Sequence, residues 1–222
     1  MSAFDVEPWR VLKPLANGWD LIVGVDTGTY MSAVFTAIPP GDIAQACFIA
    51  EFPNYRYVAT EIELLGESTP EWARRVYAAY KYFCPGKERC KAWADPNTQF
   101  RAELAHYGLD LRPNHRGPEL RVEIAREYFN AKDAPRIFMA PWLSVLPYEL
   151  ENAKWPEEVT ASGKFMRIKR NDHTLDPAEH CLSRRPRGRT IRSERQPTFK
   201  EQHLAQHRWP NLQRADPHLG SL

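Results

Sequence analysis

The feature that most constrains the fold is a short apolar segment that ends in an acid. Asp20–Asp26 reads Asp-Leu-Ile-Val-Gly-Val-Asp, and Thr27-Gly28-Thr29 follows it directly. A continuous apolar run of this length is typical of a buried strand, and α/β sheets place functional side chains where strands end. Asp26 is therefore a candidate catalytic residue. The alternative is that Asp26 only opens a turn, since Asp and Gly favour turns for local reasons.

The residues after this strand predict an antiparallel meander. Met31–Ile38 and Ala44–Glu51 each have the length and apolar content of a strand. Pro39-Pro40-Gly41-Asp42 predicts the turn between these two strands. Arg56–Leu65 alternates enough to predict one further strand or a strand continuation.

A helix is predicted after this β-rich region. Ser68-Thr69-Pro70-Glu71 combines a hydroxyl N-cap with a proline at the first helical position. The apolar and aromatic residues that follow recur at helical spacing, which predicts that they pack in the core. They are Trp72, Val76, Ala79, Tyr80 and Phe83.

A second acid follows a second short strand. Cys90–Asp95 reads Cys-Lys-Ala-Trp-Ala-Asp and leads into Pro96-Asn97. This places Asp95 at a strand end, as Asp26 is. The alternative is that Asp95 only caps a helix predicted over Thr98–Tyr107, because Asp is a favoured N-cap residue.

A third acidic cluster lies late in the chain, within Asn171–His180. In one continuous helix, Asp172 and Asp176 would share a face at spacing i, i+4. Pro177 instead suits the first position of a helix capped by Asp176, with Asp172 on the turn before it. His173 is interpreted as the donor or acceptor of a structural hydrogen bond.

The chain between the second and third acids predicts two more strands and two more helices. The strands are Gly108–Pro113 and Arg136–Ala140. One helix starts at Gly117-Pro118-Glu119, and its apolar face carries Leu120, Ile124, Ala125 and Tyr128. The other helix spans about 142–152.

Three carboxylates that converge on one sheet edge repel each other unless cations lie between them. All-oxygen ligands favour Mg²⁺ or Mn²⁺ over zinc. Two such ions, roughly 3.5–4 Å apart, can activate a water and stabilise the leaving oxygen of a phosphodiester. The hypothesis from the acids alone is therefore a two-metal hydrolase.

The basic charge is concentrated near the end of the chain. The net charge is +2, and the last 40 residues, 183–222, hold nine Lys or Arg against three Asp or Glu, which leaves −4 for residues 1–182. We predict a lead-in over 1–18, a folded domain over 19–182 and a flexible basic tail over 183–222. A polar loop over 154–170 is a candidate for DNA contacts through Lys164, Arg167, Lys169 and Arg170.

The four cysteines, Cys47, Cys84, Cys90 and Cys181, form no Cys-x-x-Cys pair. This argues against a disulfide framework and a zinc ribbon, and it predicts reduced thiols. No apolar run approaches the roughly 20 residues that span a bilayer, and no signal peptide is evident at the N-terminus. We expect a cytosolic protein without a membrane partner.

Three segments carry a resemblance to one family. Val23-Gly24-Val25-Asp26-Thr27-Gly28, Ala94-Asp95-Pro96-Asn97 and Asn171-Asp172-His173-Thr174-Leu175-Asp176 resemble the signatures of the nuclease domain of viral terminase large subunits, the genome-packaging motors of tailed phages. The resemblance covers about residues 18–182. It departs from the family pattern at Pro177, where a small Ala is usual, and at His180, near which a Tyr is usual.

The resemblance implies an α/β, ribonuclease H-like fold, with a central mixed sheet flanked by helices. It implies a DNA endonuclease that cuts concatemeric genomes using two Mg²⁺ or Mn²⁺ ions. Asp26 would be the ligand shared by both ions, Asp95 and Asp172 would complete the pair, and Asp176 would assist.

The implied partners are double-stranded DNA, an ATPase motor domain or subunit, the portal and the small terminase subunit, in the host cytoplasm at the procapsid. No Gly-x-x-x-x-Gly-Lys-[Ser/Thr] motif occurs, so the ATPase is expected outside this sequence.

Other classes of protein remain open at this point. Asp26-Thr27-Gly28-Thr29 also resembles the first phosphate motif of actin-like sugar kinases, which need a second domain that this chain has no room for. A Holliday-junction resolvase of the same fold would prefer four-way junctions. A non-catalytic packaging module would bind DNA or the portal without any response to Mn²⁺.

Overall fold

The computed structural model describes residues 8–16, 18–40, 45–85, 90–131, 135–153 and 172–184. The predicted loop over 154–170, with Lys164, Arg167, Lys169 and Arg170, lies outside the described residues. The tail from residue 185 onward also lies outside them, as do Gly41 and Asp42 of the predicted turn.

Within the described residues, six strands form one mixed sheet and two more form a separate hairpin. The sheet order is β7-β6-β1-β2-β3-β8, and the hairpin is β4-β5. The strands are β1 Asp20–Asp26, β2 Ser32–Ile38, β3 Ala46–Glu51, β4 Tyr55–Val58, β5 Glu61–Leu64, β6 Cys90–Ala94, β7 Leu111–Pro113 and β8 Ile137–Met139.

The predicted meander is confirmed, because β1 pairs antiparallel with β2 and β2 with β3. The β1–β6, β6–β7 and β3–β8 pairs are parallel. The prediction of a single strand over Arg56–Leu65 is wrong. A turn at Ala59, which has a φ of 54°, folds this segment into the β4–β5 hairpin.

The described residues contain five α-helices: α1 Thr69–Phe83, α2 Thr98–His106, α3 Pro118–Phe129, α4 Val145–Asn152 and α5 Leu175–Arg184. A 3-10 helix, Pro8–Val11, precedes the sheet. The start of α1 is as predicted, with the Ser68 backbone N–H donating to the Glu71 carboxylate at 2.9 Å.

Two sequence expectations about helices are corrected. Leu120 does not lie on the buried face of α3, since it is 41% exposed; Ala125 is buried as predicted, together with Arg121 and Val122. Helix α5 begins at Leu175, earlier than a cap at Asp176 would allow, and it ends at Arg184.

Helices cover both faces of the sheet. On β2, Phe35 contacts Phe83 of α1, with ring centroids 6.0 Å apart. The neighbouring Val34 packs in a cluster that contains buried residues of α3, α4 and α5, including Ala125, Leu146 and Leu182. Since successive strand residues point to opposite faces, α1 lies on one side of the sheet and α5 on the other.

The expectation of four reduced cysteines is wrong for Cys84, which is disulfide-bonded, while Cys47 and Cys181 are free and buried. Among the described helices, none combines the length and apolar character needed to cross a bilayer.

Candidate metal-binding carboxylate site

Asp26 and Asp95 leave the sheet at the same edge. Strands β1 and β6 are parallel neighbours, with Val25 paired to Ala94. Each acid is the next residue along its own strand, so the two carboxylates start from adjacent positions. This is the arrangement expected where the carboxyl ends of parallel strands meet.

Helix α5 is held unusually close to β1. A Cβ atom added to Gly24 would lie 1.9 Å from the Pro177 carbonyl oxygen, so only glycine allows this approach. Deeper in the contact, the Cys181 thiol lies 3.6 Å from the Ile22 carbonyl oxygen. Gly24 lies two residues before Asp26, and Pro177 follows Asp176. The close contact therefore brings Asp176 to the Asp26 edge of the sheet.

The start of α5 carries two buried acids. Asp172 and Asp176 are both less than a tenth exposed. The Asp176 backbone N–H donates to the Asp172 carbonyl at 3.0 Å, which makes the segment a helical turn before the helix proper. Both acids predicted from the sequence are therefore buried at the start of α5 or in the turn that precedes it.

The electrostatics at Asp26 reflect its acidic neighbours. Burial raises the pKa of Asp26 above its ordinary value, and the charges of Asp176 and Asp95 raise it further. His173 opposes this rise, since its Nδ1 lies 3.5 Å from Asp26 Oδ2. Because the charges of Asp176 and Asp95 disfavour ionisation of Asp26, a cation beside Asp26 would be favourable.

His173 belongs to this site rather than to a remote structural contact. Its hydrogen bond to Asp26 raises the pKa of the imidazole, and the charges of Glu149 and Asp172 act in the same direction. The ring lies against Tyr30, with centroids 4.9 Å apart. Asp172 therefore acts electrically on His173, whereas Asp176 acts on Asp26.

Asp95 is held in a different environment. Its Oδ1 accepts from Arg121 Nη1 at 3.0 Å and lies 3.2 Å from His180 Nε2. The hydrogen bond from His180, together with the Arg121 charge, lowers the pKa of Asp95 to about 2 against the effect of burial. Within the described residues both contacts engage Oδ1, so Oδ2 is the oxygen that can face a cation.

The alternative role of Asp95 as a helix cap is not what the structure shows. The N-cap of α2 is Asn97, whose side-chain oxygen accepts from the backbone N–H groups of Gln99 and Phe100 at 3.1 and 3.4 Å. The Asp95 carboxylate is thus not used by the helix.

Asn114 fixes the imidazole beneath Asp95. Asn114 Oδ1 accepts from Arg184 Nε at 2.7 Å, which identifies the other amide atom as the donor. That donor, Nδ2, lies 2.7 Å from His180 Nδ1, so Nδ1 accepts and Nε2 carries the proton toward Asp95. His180, which departs from the family pattern, is therefore a positioning residue for Asp95.

Glu149 of α4 is the buried acid that sequence reasoning missed. Its Oε1 accepts from the hydroxyls of Tyr55 and Tyr57 at 2.7 and 2.9 Å. Its Oε2 accepts from the backbone N–H groups of Thr174 and Leu175, both at 2.8 Å, at the start of α5. Burial raises the pKa of Glu149 to about 7 although these four donors lower it.

The contacts of Glu149 show that it orients the site without belonging to it. Each carboxylate oxygen of Glu149 already accepts two hydrogen bonds, which is as many as it can accept. We therefore assign Glu149 no role as a metal ligand. Tyr55 continues the network, because its hydroxyl contacts Thr174 Oγ1 at 2.7 Å, and Thr174 contacts Ser32 Oγ at 2.9 Å. Ser32 is the β2 residue paired with Asp26.

The donor chemistry fits a hard divalent cation, since carboxylate oxygens are the ligands that Mg²⁺ and Mn²⁺ prefer. The side chains do not stand as a finished ligand set: among the described residues, no three His, Cys, Asp or Glu are placed to hold a metal ion as they are. The structure brings Asp26, Asp95 and Asp176 into one electrostatic group, with Asp172 beside His173.

No protein-family model and no curated protein matches this sequence. Solved structures of bacteriophage large terminases share the fold. One, from a thermophilic bacteriophage, aligns at 16% identity over 77% of this chain and 41% of its own, with a TM-score of 0.53. The nuclease domain of the P22 large terminase aligns at 14% identity over 80% of this chain and 88% of that domain, with a TM-score of 0.52.

The nuclease domain of the SPP1 bacteriophage large terminase, solved with bound Mn, aligns at 15% identity over 74% of this chain and 86% of that domain, with a TM-score of 0.50. This chain spans only 41% of the length of the thermophilic-phage terminase. The likenesses confirm the predicted fold class, a mixed sheet flanked by helices as in terminase nuclease domains.

Proposed function

We propose that this chain is a metal-dependent DNA endonuclease of the terminase type, which cuts concatemeric viral DNA during genome packaging. The observation that carries the proposal is the convergence of Asp26, Asp95 and Asp176 at one edge of a sheet with this fold. The charge coupling at Asp26 favours a cation there. The resemblance of the three motifs to terminase signatures supports the same reaction.

In this proposal Asp26, Asp95, Asp172 and Asp176 supply the oxygen ligands for two Mg²⁺ or Mn²⁺ ions. When bound, such ions activate a water and stabilise the leaving 3′ oxygen in an in-line displacement. The SPP1 nuclease domain was solved with Mn, which supports a divalent ion at the matching fold. A related nuclease domain, from phage G20c, was solved with cobalt.

The chain's own residues would hold the ligands in place. Arg121 and His180 keep Asp95 ionised and direct one of its oxygens, and His173 contacts Asp26 Oδ2. Glu149 fixes the start of α5, from which Asp172 and Asp176 extend. We propose that Asp176, rather than Asp172, shares a metal ion with Asp26, because the charge of Asp176 acts on Asp26 directly.

We further propose double-stranded DNA as substrate and an ATPase motor domain or subunit, the portal and the small terminase subunit as partners, in the host cytoplasm at the procapsid. The thermophilic-phage terminase that aligns over 41% of its length was solved with ADP, which supports a nucleotide-driven partner region in relatives of this fold. The basic residues Lys164, Arg167, Lys169 and Arg170 remain proposed DNA contacts.

The proposal is tested by incubating supercoiled plasmid with the full chain in Mn²⁺, Mg²⁺ or EDTA. We expect nicking and linearisation only with metal. The variants Asp26→Asn, Asp95→Asn and Asp176→Asn should lose the activity, while Asp110→Asn, an exposed acid outside the site, should keep it.

Cleavage in EDTA, or cleavage that survives in all three site variants, would contradict the proposal. A strong preference for four-way junctions over linear duplex would instead identify a resolvase of the same fold.

A further inference from the structure

Three arginines gather beside the Asp95 end of the site. Arg184, at the end of α5, lies over the Trp93 ring with its Cζ 4.4 Å from the centroid. Arg112 of β7 lies over the same ring at 5.8 Å. Arg116 follows β7 on the loop to α3, and its positive charge contributes, after burial, to a lowered pKa of Arg184. The three arginines are thus grouped around Trp93 and Asn114, and we call them the basic cluster.

Within the described part of the chain, the basic cluster has no carboxylate partner. Among the described residues, no carboxylate pairs with Arg112, Arg116 or Arg184, although Arg56, Arg75 and Arg121 each have a carboxylate partner. Arginines held close together without an acid repel each other unless an anion lies between them. Arginine is also the residue best suited to contact phosphate oxygens.

The basic cluster is built onto the same side chain that orients Asp95. Asn114 Oδ1 accepts from Arg184 Nε at 2.7 Å and from the Arg116 backbone N–H at 3.3 Å. Asn114 Nδ2 donates to His180, whose Nε2 faces Asp95. Asn114 is 1% exposed, so this link is part of the folded core. The position of the cluster is thereby fixed relative to a proposed metal ligand.

We propose that Arg112, Arg116 and Arg184 bind phosphates of the DNA strand next to the cleavage site and hold it against the Asp95 side of the sheet edge. This rests on the proposed nuclease function. The contacts are to the phosphate backbone, so they add affinity and register without base preference.

The test is the salt dependence of duplex DNA binding by the full chain, measured by fluorescence anisotropy in EDTA, where metal-dependent cleavage is off. Each lost phosphate contact lowers the slope of log affinity against log salt by about one. We expect Arg112→Gln and Arg116→Gln each to lower the slope by about one, and the double variant by about two.

The control variant is Arg10→Gln. Arg10 also lies over a tryptophan, Trp9, at 5.1 Å, but Trp9 contacts Phe83 of α1 on the opposite face of the sheet. The Arg10→Gln variant should therefore leave the slope of log affinity against log salt unchanged. If the cluster variants show the same slope as the unmodified chain, the inference is overturned. Metal-dependent plasmid cleavage by the unmodified chain would in that case still support the nuclease proposal. Absence of both DNA binding and cleavage in the unmodified chain would overturn both.

Discussion

At the scale of single residues, Gly24 decides how closely α5 approaches the sheet. Its missing side chain leaves room for the Pro177 carbonyl, which a Cβ atom would meet at 1.9 Å. Both contacting groups are backbone, so neither can move without shifting a strand or a helix. The position of Asp176 relative to Asp26 depends on this contact.

We predict that Gly24→Ala lowers the free energy of unfolding by about 1–3 kcal/mol or more, because overpacking forces backbone shifts. It should also impair metal-dependent cleavage, since α5 is displaced. Gly117→Ala is the control: there the added Cβ meets only the flexible Glu119 carboxylate at 3.0 Å. Chemical denaturation and plasmid cleavage of both variants check this, and a Gly24→Ala protein as stable and active as the parent would contradict it.

Asp95 and Asn97, two residues apart, have separate roles. Asn97 caps α2, whereas Asp95 contacts Arg121 and His180. We predict that Asn97→Ala lowers the free energy of unfolding by about 1 kcal/mol, as loss of an N-cap does, and leaves metal-dependent cleavage in place. Asp95→Asn should abolish cleavage in a protein that still folds. Loss of cleavage in folded Asn97→Ala would contradict this division of roles.

Among the elements, buried or partly buried carboxylates hydrogen-bond to backbone N–H groups at the start of the following helix. Glu51, at the end of β3, accepts from the backbone N–H groups of Ser144, Val145 and Leu146 at the start of α4. Glu149 of α4 then accepts from the start of α5. These hydrogen bonds satisfy backbone N–H groups at both helix starts, so they stabilise α4 and the start of α5, which bears Asp176.

We predict that Glu149→Ala lowers the free energy of unfolding by about 2–5 kcal/mol, because two buried backbone N–H groups lose their acceptor. Glu149→Gln should cost less. Its oxygen can still accept from Thr174 and Leu175, while its NH₂ group donates to Tyr55 and Tyr57, whose hydroxyls can accept. Equal losses in the two variants, measured by denaturant unfolding, would contradict this account of the contacts.

The pH dependence of stability should differ between the parent and Glu149→Gln. The pKa of Glu149 rises from an ordinary 4.5 to about 7 on folding, so the folded protein binds this proton more tightly than the unfolded chain. The stabilisation is complete below pH 4.5 and is lost as the pH rises through about 7. We expect the stability difference between parent and variant to change over this window. A difference that stays constant across it would contradict the prediction.

Across the whole molecule, local patterns were enough to predict the antiparallel strands β1 to β3 and the places of Asp26 and Asp95 at strand ends. A buried strand has a continuous apolar run, and β1 has the predicted bounds, Asp20–Asp26. The close pairs of strands also predicted their antiparallel order. The acids at the ends of β1 and β6 could be identified because each directly follows an apolar strand.

The rest depends on contacts between distant parts of the chain. Glu149 joins residues of the hairpin to the start of α5, and Asn114 joins the β7–α3 loop to His180. The Asn114 pairing leaves no signal in the local sequence, whereas Glu149 occupies the apolar face of α4 with Val145 and Leu146. An acid on the apolar face of a helix was the signal that could have revealed it.

Metal binding between the carboxylates can be observed by anomalous X-ray diffraction from crystals of the full chain grown with Mn²⁺. We expect anomalous density at the sheet edge, within ligand distance of the Asp26 and Asp95 carboxylates and of Asp176 or Asp172, and weaker density there in Asp26→Asn crystals. The side chain that reaches the ion, Asp176 or Asp172, decides their roles. Ordered carboxylates with no manganese between them, in a protein whose cleavage still requires Mn²⁺, would contradict the account.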